Sequence, residues 1–148
     1  MAEREPLPTR ADYRAFFDVP TRWLDNDLYG HVNNVYYYVY FDTAIARVLM
    51  EGGGLDPWRA PIIGYCVESG CKFHKGARFP DRITAGIRVS RLGRSSVRYE
   101  IGLFRNDDEE AAASGFFVHV FVERASERPA PLPPPIREAL ERLLDDRS

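Results

Sequence analysis

Ten consecutive residues carry the densest chemistry in the sequence: Asp25-Asn26-Asp27-Leu28-Tyr29-Gly30-His31-Val32-Asn33-Asn34. Two carboxylates, a glycine, an imidazole and several carboxamides stand together, and an almost wholly apolar stretch from Val35 to Met50 follows at once. Polar groups packed this densely against a buried element are costly unless they have a task. A helix that begins here leaves its first backbone N–H groups without acceptors and points the positive end of its dipole at them. The segment therefore sets a carboxylate, suited to nucleophilic or general-base work, beside an electropositive helix start. The plainer alternative is that the aspartates and asparagines form turns and cap the helix, as these residue types commonly do.

Other chemistry-bearing residues are sparser. The three histidines, His31, His74 and His119, are dispersed and do not have the spacing of a metal site. Basic residues cluster at Arg88, Arg91, Arg94 and Arg98, with Ser95 among them. Cys66 and Cys71 stand five residues apart on an expected strand, which predicts that they point to opposite faces, unbonded, as buried reduced thiols.

The elements that must position these residues follow from pattern. A first strand is expected near residues 14–24, with Pro20 at an edge or bulge. Val35 to Phe41 has strand propensity, but the apolar run continues beyond the length of a strand. Asn33 or Asn34 can cap its start and Gly52-Gly53-Gly54 can end it, so one helix is expected over roughly 34–51. A helix apolar nearly all round must be covered on most sides. Strands are expected at Ile62–Phe73, Ile83–Arg91, Ser96–Arg105 and Ala113–Glu123, with hairpin links at Leu92-Gly93-Arg94 and Asn106–Glu109. The link from His74 to Pro80 has bulge and turn chemistry. Residues 1–12 are expected to be loose or strapped to the surface. Pro129–Pro135 is a connector into a short helix with Ile136, Leu140, Leu143 and Leu144 on one stripe. The whole is a single α+β domain over residues 1–148, an antiparallel sheet packed on one long helix. Its edges call for management by a second subunit.

The segment D-N-D-L-Y-G-H-V-N-N-V-Y-Y resembles the D-x-D-x-x-G-H-V-N-N-x-x-Y signature of hotdog-fold acyl-CoA thioesterases, the 4-hydroxybenzoyl-CoA thioesterase-like family. F-H-K-G-A-R-F-P-D at 73–81, R-L-G-R-S-S at 91–96 and R-P-A-P-L-P at 128–133 are similar to that family too. The resemblance spans about residues 14–140. It implies a hotdog fold, a curved antiparallel sheet wrapped around a central helix, and at least a homodimer with shared active sites, with a dimer of dimers as the larger alternative. Its substrates would be acyl-CoA or acyl-carrier-protein thioesters, with coenzyme A entering as part of the substrate and no separate cofactor or metal.

The resemblance also implies roles. Asp27 aligns with the catalytic aspartate, as nucleophile or as base for water, and Asp25 with a structural one. The oxyanion donor would be the backbone N–H of Asn34, and Gly30 shapes the turn before it. His31 would hold Asp27, position water, shuttle a proton or serve structure. Arg91, Arg94 and Ser95 would meet the nucleotide and phosphates of CoA. His74 lies where the family places substrate contacts, and some rings from Tyr36 to Phe41, Tyr37 among them, would line an acyl or aryl pocket. Some hotdog enzymes use a helix carboxylate instead, a place Asp42 could fill, but here Asp42 is expected to pair with an arginine.

Composition excludes other classes. Net charge is −2, which gives no global field for nucleic acid. No stretch is long and apolar enough for a membrane span, no secretory signal is visible, and a cytoplasmic protein is expected. The competing readings are a non-catalytic hotdog protein that binds acyl-CoA, and a dehydratase or hydratase, whose histidine and carboxylate arrangement this chain lacks.

Overall fold

The structure is a computed structural model, and it describes residues 6–144. Its strands are β1 (Ala15–Pro20), β2 (Ile62–Phe73), β3 (Arg82–Leu92), β4 (Ser96–Arg105) and β5 (Ala113–Glu123), and its helices are α1 (Asn34–Arg47) and α2 (Pro134–Glu141). The five strands form one antiparallel sheet in the order β1-β3-β4-β5-β2. The sheet wraps α1, which is the hotdog arrangement.

The helix is buried through Tyr37, Tyr40, Phe41, Ala44 and Ile45. Facing them are Ile87 and Val89 of β3, Tyr99 and Ile101 of β4, and Phe117 and Phe121 of β5, all in one apolar cluster. Burying a side chain such as Phe41 contributes about 2–3 kcal/mol, so this layer decides how the helix lies. The helical rod runs past Arg47 with a widened turn over Val48–Gly52, where the Gly53 N–H reaches back five residues to the Val48 carbonyl. Three consecutive glycines, Gly52–Gly54, let the ending unwind in this way.

Strand expectations hold closely from β2 to β5, while β1 is shorter than expected, because Pro20 ends its ladder. The region expected to be loose or strapped is strapped as far as it is described. Thr9 bridges Glu110, and the Arg10 side chain donates to the carbonyls of Asp108 and Asn106 while lying 4.9 Å over the Phe104 ring. Residues 1–5 and 145–148 lie outside the described residues.

The cysteine expectation is corrected. The β2–β5 register shifts between Cys66 and Glu68, a bulge at Val67. Cys66 then pairs with His119 and Cys71 with Gly115, and those partners, four residues apart, share a face. Both thiols therefore face the same way. They are free, with Cys66 exposed and Cys71 half-buried.

Strand β2 is a sheet edge twelve residues long, and most of its central residues are exposed. Beside it, α1 leaves Val35 and Val39 in solvent. Among the described residues no helix is long and apolar enough to cross a membrane.

Candidate active site

The loop between β1 and α1 is built around a buried carboxylate. Asp25 is only 1% exposed. Its Oδ2 accepts from the Tyr40 hydroxyl at 2.6 Å and from the Arg22 N–H at 3.0 Å, and its Oδ1 accepts from the Arg22 guanidinium at 2.9 and 3.0 Å. Burial pushes this carboxyl up, but the donors of Tyr40 and Arg22 outweigh it and hold it below the usual range. Tyr40 is displaced the other way, upward, by its burial and then by the carboxylate it serves. The Asp25 carbonyl also accepts the Asn33 N–H at 2.8 Å. Asp25 thus clamps both ends of the segment to α1 and is structural, in line with its expected place.

Asp27 stands on a miniature hairpin whose base is the bridge between Asn26 and Val32. Its N–H donates to the His31 carbonyl at 2.8 Å, and its carbonyl accepts from Gly30 N–H at 3.1 Å. Gly30 closes that turn at φ +78°, a conformation that costs most side chains about 1 kcal/mol or more. Asp27 Oδ1 accepts the Tyr29 N–H at 2.8 Å, which fixes the carboxylate plane. Among the described residues Oδ2 has no donor, so one oxygen is positioned and the other is open.

The helix start follows six residues later. Asn33, extended at φ −61° and ψ 136°, caps α1 by accepting the Val35 N–H at 3.1 Å. Asn34 opens the helix, and its own N–H has no acceptor among the described residues. A half-exposed carboxylate and a free, dipole-backed N–H therefore share one short loop. The loop is docked by long-range bonds that sequence pattern did not show. Val32 N–H donates to Ala77 O at 2.7 Å, Phe79 N–H to Asn26 Oδ1 at 3.1 Å, and Ala77 N–H to the Tyr37 hydroxyl at 3.2 Å. Arg105 in turn holds the Gly76 carbonyl at 2.7 Å. The motif at 73–81 was legible, but its task as the seat of the Asp27 loop was not, because every one of these partners is distant in sequence.

A family profile described as the thioesterase superfamily matches residues 29–112. The chain belongs to the thioesterase superfamily. Among solved structures, it is 51% identical to the PA5185 protein from Pseudomonas aeruginosa PAO1, over 95% of this chain and 99% of that one, with a TM-score of 0.94. It is 30% identical to the PA2801 protein from the same species, over 86% and 98% of the two chains, at a TM-score of 0.80. It is also 30% identical to a thioesterase from Thermus thermophilus that was crystallised with coenzyme A and zinc, over 89% and 95%, at a TM-score of 0.71. A comparison with curated proteins gives no match.

The remaining residues singled out in this thioesterase-superfamily chain are scattered. His31 is exposed and lies against Gly76, where any added Cβ would come within 2.8 Å of its Cδ2; among the described residues its ring bonds neither Asp27 nor another group. Tyr37 is buried, its hydroxyl accepting the Ala77 N–H and its ring edge-on to Phe73 at 5.1 Å, so it ties α1 to the 73–81 segment. His74 Nε2 lies 2.9 Å from Ser114 Oγ, and burial, then Lys72 and Lys75, push its pKa down. Asp42 has no arginine partner among the described residues, contrary to expectation; burial pushes its carboxyl up.

Arg94 and Ser95 lie on the β3–β4 turn and Arg91 at the end of β3, and one protomer does not bring them to Asp27. The Asp27 loop adjoins Pro20, which pairs with Arg82 at the start of β3, whereas the turn follows Leu92 at its end. That strand length is roughly 30 Å.

Proposed function

We propose that the chain hydrolyses acyl-CoA thioesters, with Asp27 as the reacting carboxylate and the Asn34 N–H as oxyanion donor. The observation that carries this reading is the pairing in one loop of an oriented carboxylate, open at Oδ2, with an unused N–H at a helix start. Attack at the thioester carbonyl, by Asp27 itself or by a water it deprotonates, moves negative charge onto the carbonyl oxygen. The helix N–H stabilises that charge as it develops. The C–S bond then breaks, the thiolate leaves and takes a proton, and the acyl group departs as the acid once water has supplied its oxygen.

The reading includes a homodimer formed through β2. An edge strand this long and exposed is a template for pairing. Antiparallel pairing of β2 with its copy reverses strand direction across the two-fold axis. It would set the second copy's 91–95 turn at the same end of the joined sheet as this copy's Asp27. The end-to-end offset of roughly 30 Å within one chain is then removed, which puts an arginine turn for the phosphates at the end of the sheet where Asp27 meets the thioester. The thioesterase from Thermus thermophilus bound to coenzyme A supports CoA as the thiol carrier. A cytoplasmic location fits this substrate.

The test is release of free thiol across a panel of acyl-CoA and aryl-CoA esters. Turnover of at least one ester supports the reading. Tight binding of the esters without turnover overturns it in favour of an acyl-CoA-binding protein.

A further inference from the structure

The β3–β4 turn is fastened from behind by the C-terminal helix. Arg137 Nη2 donates to Gly93 O at 2.7 Å and to Arg94 O at 3.2 Å. Leu132 N–H donates to Arg94 O at 3.0 Å and Phe121 N–H to Ser95 O at 2.7 Å. Three successive carbonyls are thus occupied by donors of this chain. The N–H groups of Arg94 and Ser95 have no acceptor among the described residues. Arg91 and Arg94 are exposed and have no carboxylate partner there either, whereas neighbouring Arg98 is bonded to Glu100 at 3.0 Å. The turn offers donors and positive charge while its acceptors are withdrawn, which is the chemistry of an anion-recognising loop.

From this geometry we infer that Arg137 is a positioning residue for recognition of the phosphate-bearing end of the substrate: it holds the carbonyls of Gly93 and Arg94 away from the ligand and adds its own cation behind them. This rests on the proposed reading that the turn takes the nucleotide part of a CoA ester. Helix α2 itself is seated by other groups, since Ile136, Ala139 and Leu140 are buried in the core. Removing the guanidinium therefore frees the turn without undocking the helix. Lost clamping exposes carbonyl oxygens to phosphate and lets the turn sample other shapes, so the effect falls on binding of the anionic handle and not on the chemical step.

The experiment compares one acyl group carried by CoA and by N-acetylcysteamine, which lacks the nucleotide, in wild type, Arg137→Ala, Arg137→Lys and Arg94→Ala. Arg137→Ala should raise KM for the CoA ester about tenfold, the size of one lost charge-assisted contact. Its kcat, and both constants for the N-acetylcysteamine ester, should stay within about twofold. Arg137→Lys should recover part of the loss. Arg94→Ala should raise the CoA-ester KM alone. An unchanged CoA-ester KM in Arg137→Ala, beside a raised one in Arg94→Ala, overturns the inference and leaves the turn as the nucleotide site. Equal losses on both esters mean a merely structural role and overturn it too. If wild type does not distinguish the two esters and Arg94→Ala has no effect, the reading of the turn itself fails, and the inference with it. Should Arg137→Ala fail to fold, the same split is read in Arg137→Lys, where a CoA-ester KM equal to wild type also contradicts the clamp.

Discussion

The Tyr40 hydroxyl donates to Asp25 Oδ2 at 2.6 Å, joining the second turn of α1 to a carboxylate fifteen residues earlier in the chain. Both groups are buried, so neither has water as a substitute partner. Tyr40→Phe should cost about 1–2 kcal/mol in urea unfolding, the value of one charge-assisted bond. Asp25→Ala leaves the Tyr40 hydroxyl, the Arg22 N–H and the Arg22 guanidinium without their acceptor and should cost more, about 3–5 kcal/mol. Equal and negligible effects would show that the loop is held by other contacts.

A second pairing concerns His31 and Gly76. A methyl at position 76 would fall 2.8 Å from His31 Cδ2. The exposed His31 ring must then swing aside, so Gly76→Ala should destabilise the chain by at most about 1 kcal/mol. In a His31→Ala background the same change should cost almost nothing. The double-mutant cycle, read by thermal unfolding, gives the coupling directly; additivity would contradict the contact.

Stability should depend on pH through His119. It is buried, its Nδ1 lies 3.2 Å from the Tyr99 hydroxyl, and burial lowers its pKa from 6.5 to about 4. The unfolded chain thus binds a proton more readily than the folded one. The contribution is fully present above pH 6.5 and is lost as pH falls from 6.5 to about 4, on the order of 3 kcal/mol in total. His119→Gln, which keeps an acceptor for Tyr99, should flatten the unfolding free energy over that window. A wild-type curve already flat there would contradict the assignment.

Assembly is tested at β2. Val67 sits on the bulge of the edge strand and is 60% exposed. Val67→Lys adds a charge to the strand that would pair with its copy. Light scattering should find a wild-type dimer and a folded, monomeric Val67→Lys with thioesterase activity reduced at least about tenfold. Full activity in a monomer would contradict a site shared between subunits.

Much of this was legible in the sequence because it is local. The cap at Asn33, the turn at Gly30, the length of α1 and the strands β2 to β5 follow from residue types and from the ordinary helix and strand periods. Other features depend on contacts between distant segments. The bulge at Val67, which turned Cys66 and Cys71 to one face, is a register shift against β5 with no signal in its own residues. The bond from Ala77 N–H to the Tyr37 hydroxyl joins positions forty residues apart, and aromatic type does not disclose it. Arg91 and Arg94 read as contacts for the phosphates of CoA, and their separation from Asp27 by the length of β3 within one chain is a matter of sheet topology that residue type does not disclose. Asp42 read as an arginine's partner, and no spacing rule reveals that none pairs with it among the described residues.

The central claim rests on Asp27, whose side chain supports only the Tyr29 N–H among the described residues. The most direct measurement is the rate of thiol release from the best acyl-CoA ester by wild type and by Asp27→Ala, with the unfolding temperature of each. Loss of a reacting carboxylate should lower kcat by at least about a thousandfold, with an unfolding temperature within a few degrees of wild type. Turnover at the wild-type rate in a folded Asp27→Ala would contradict the assignment.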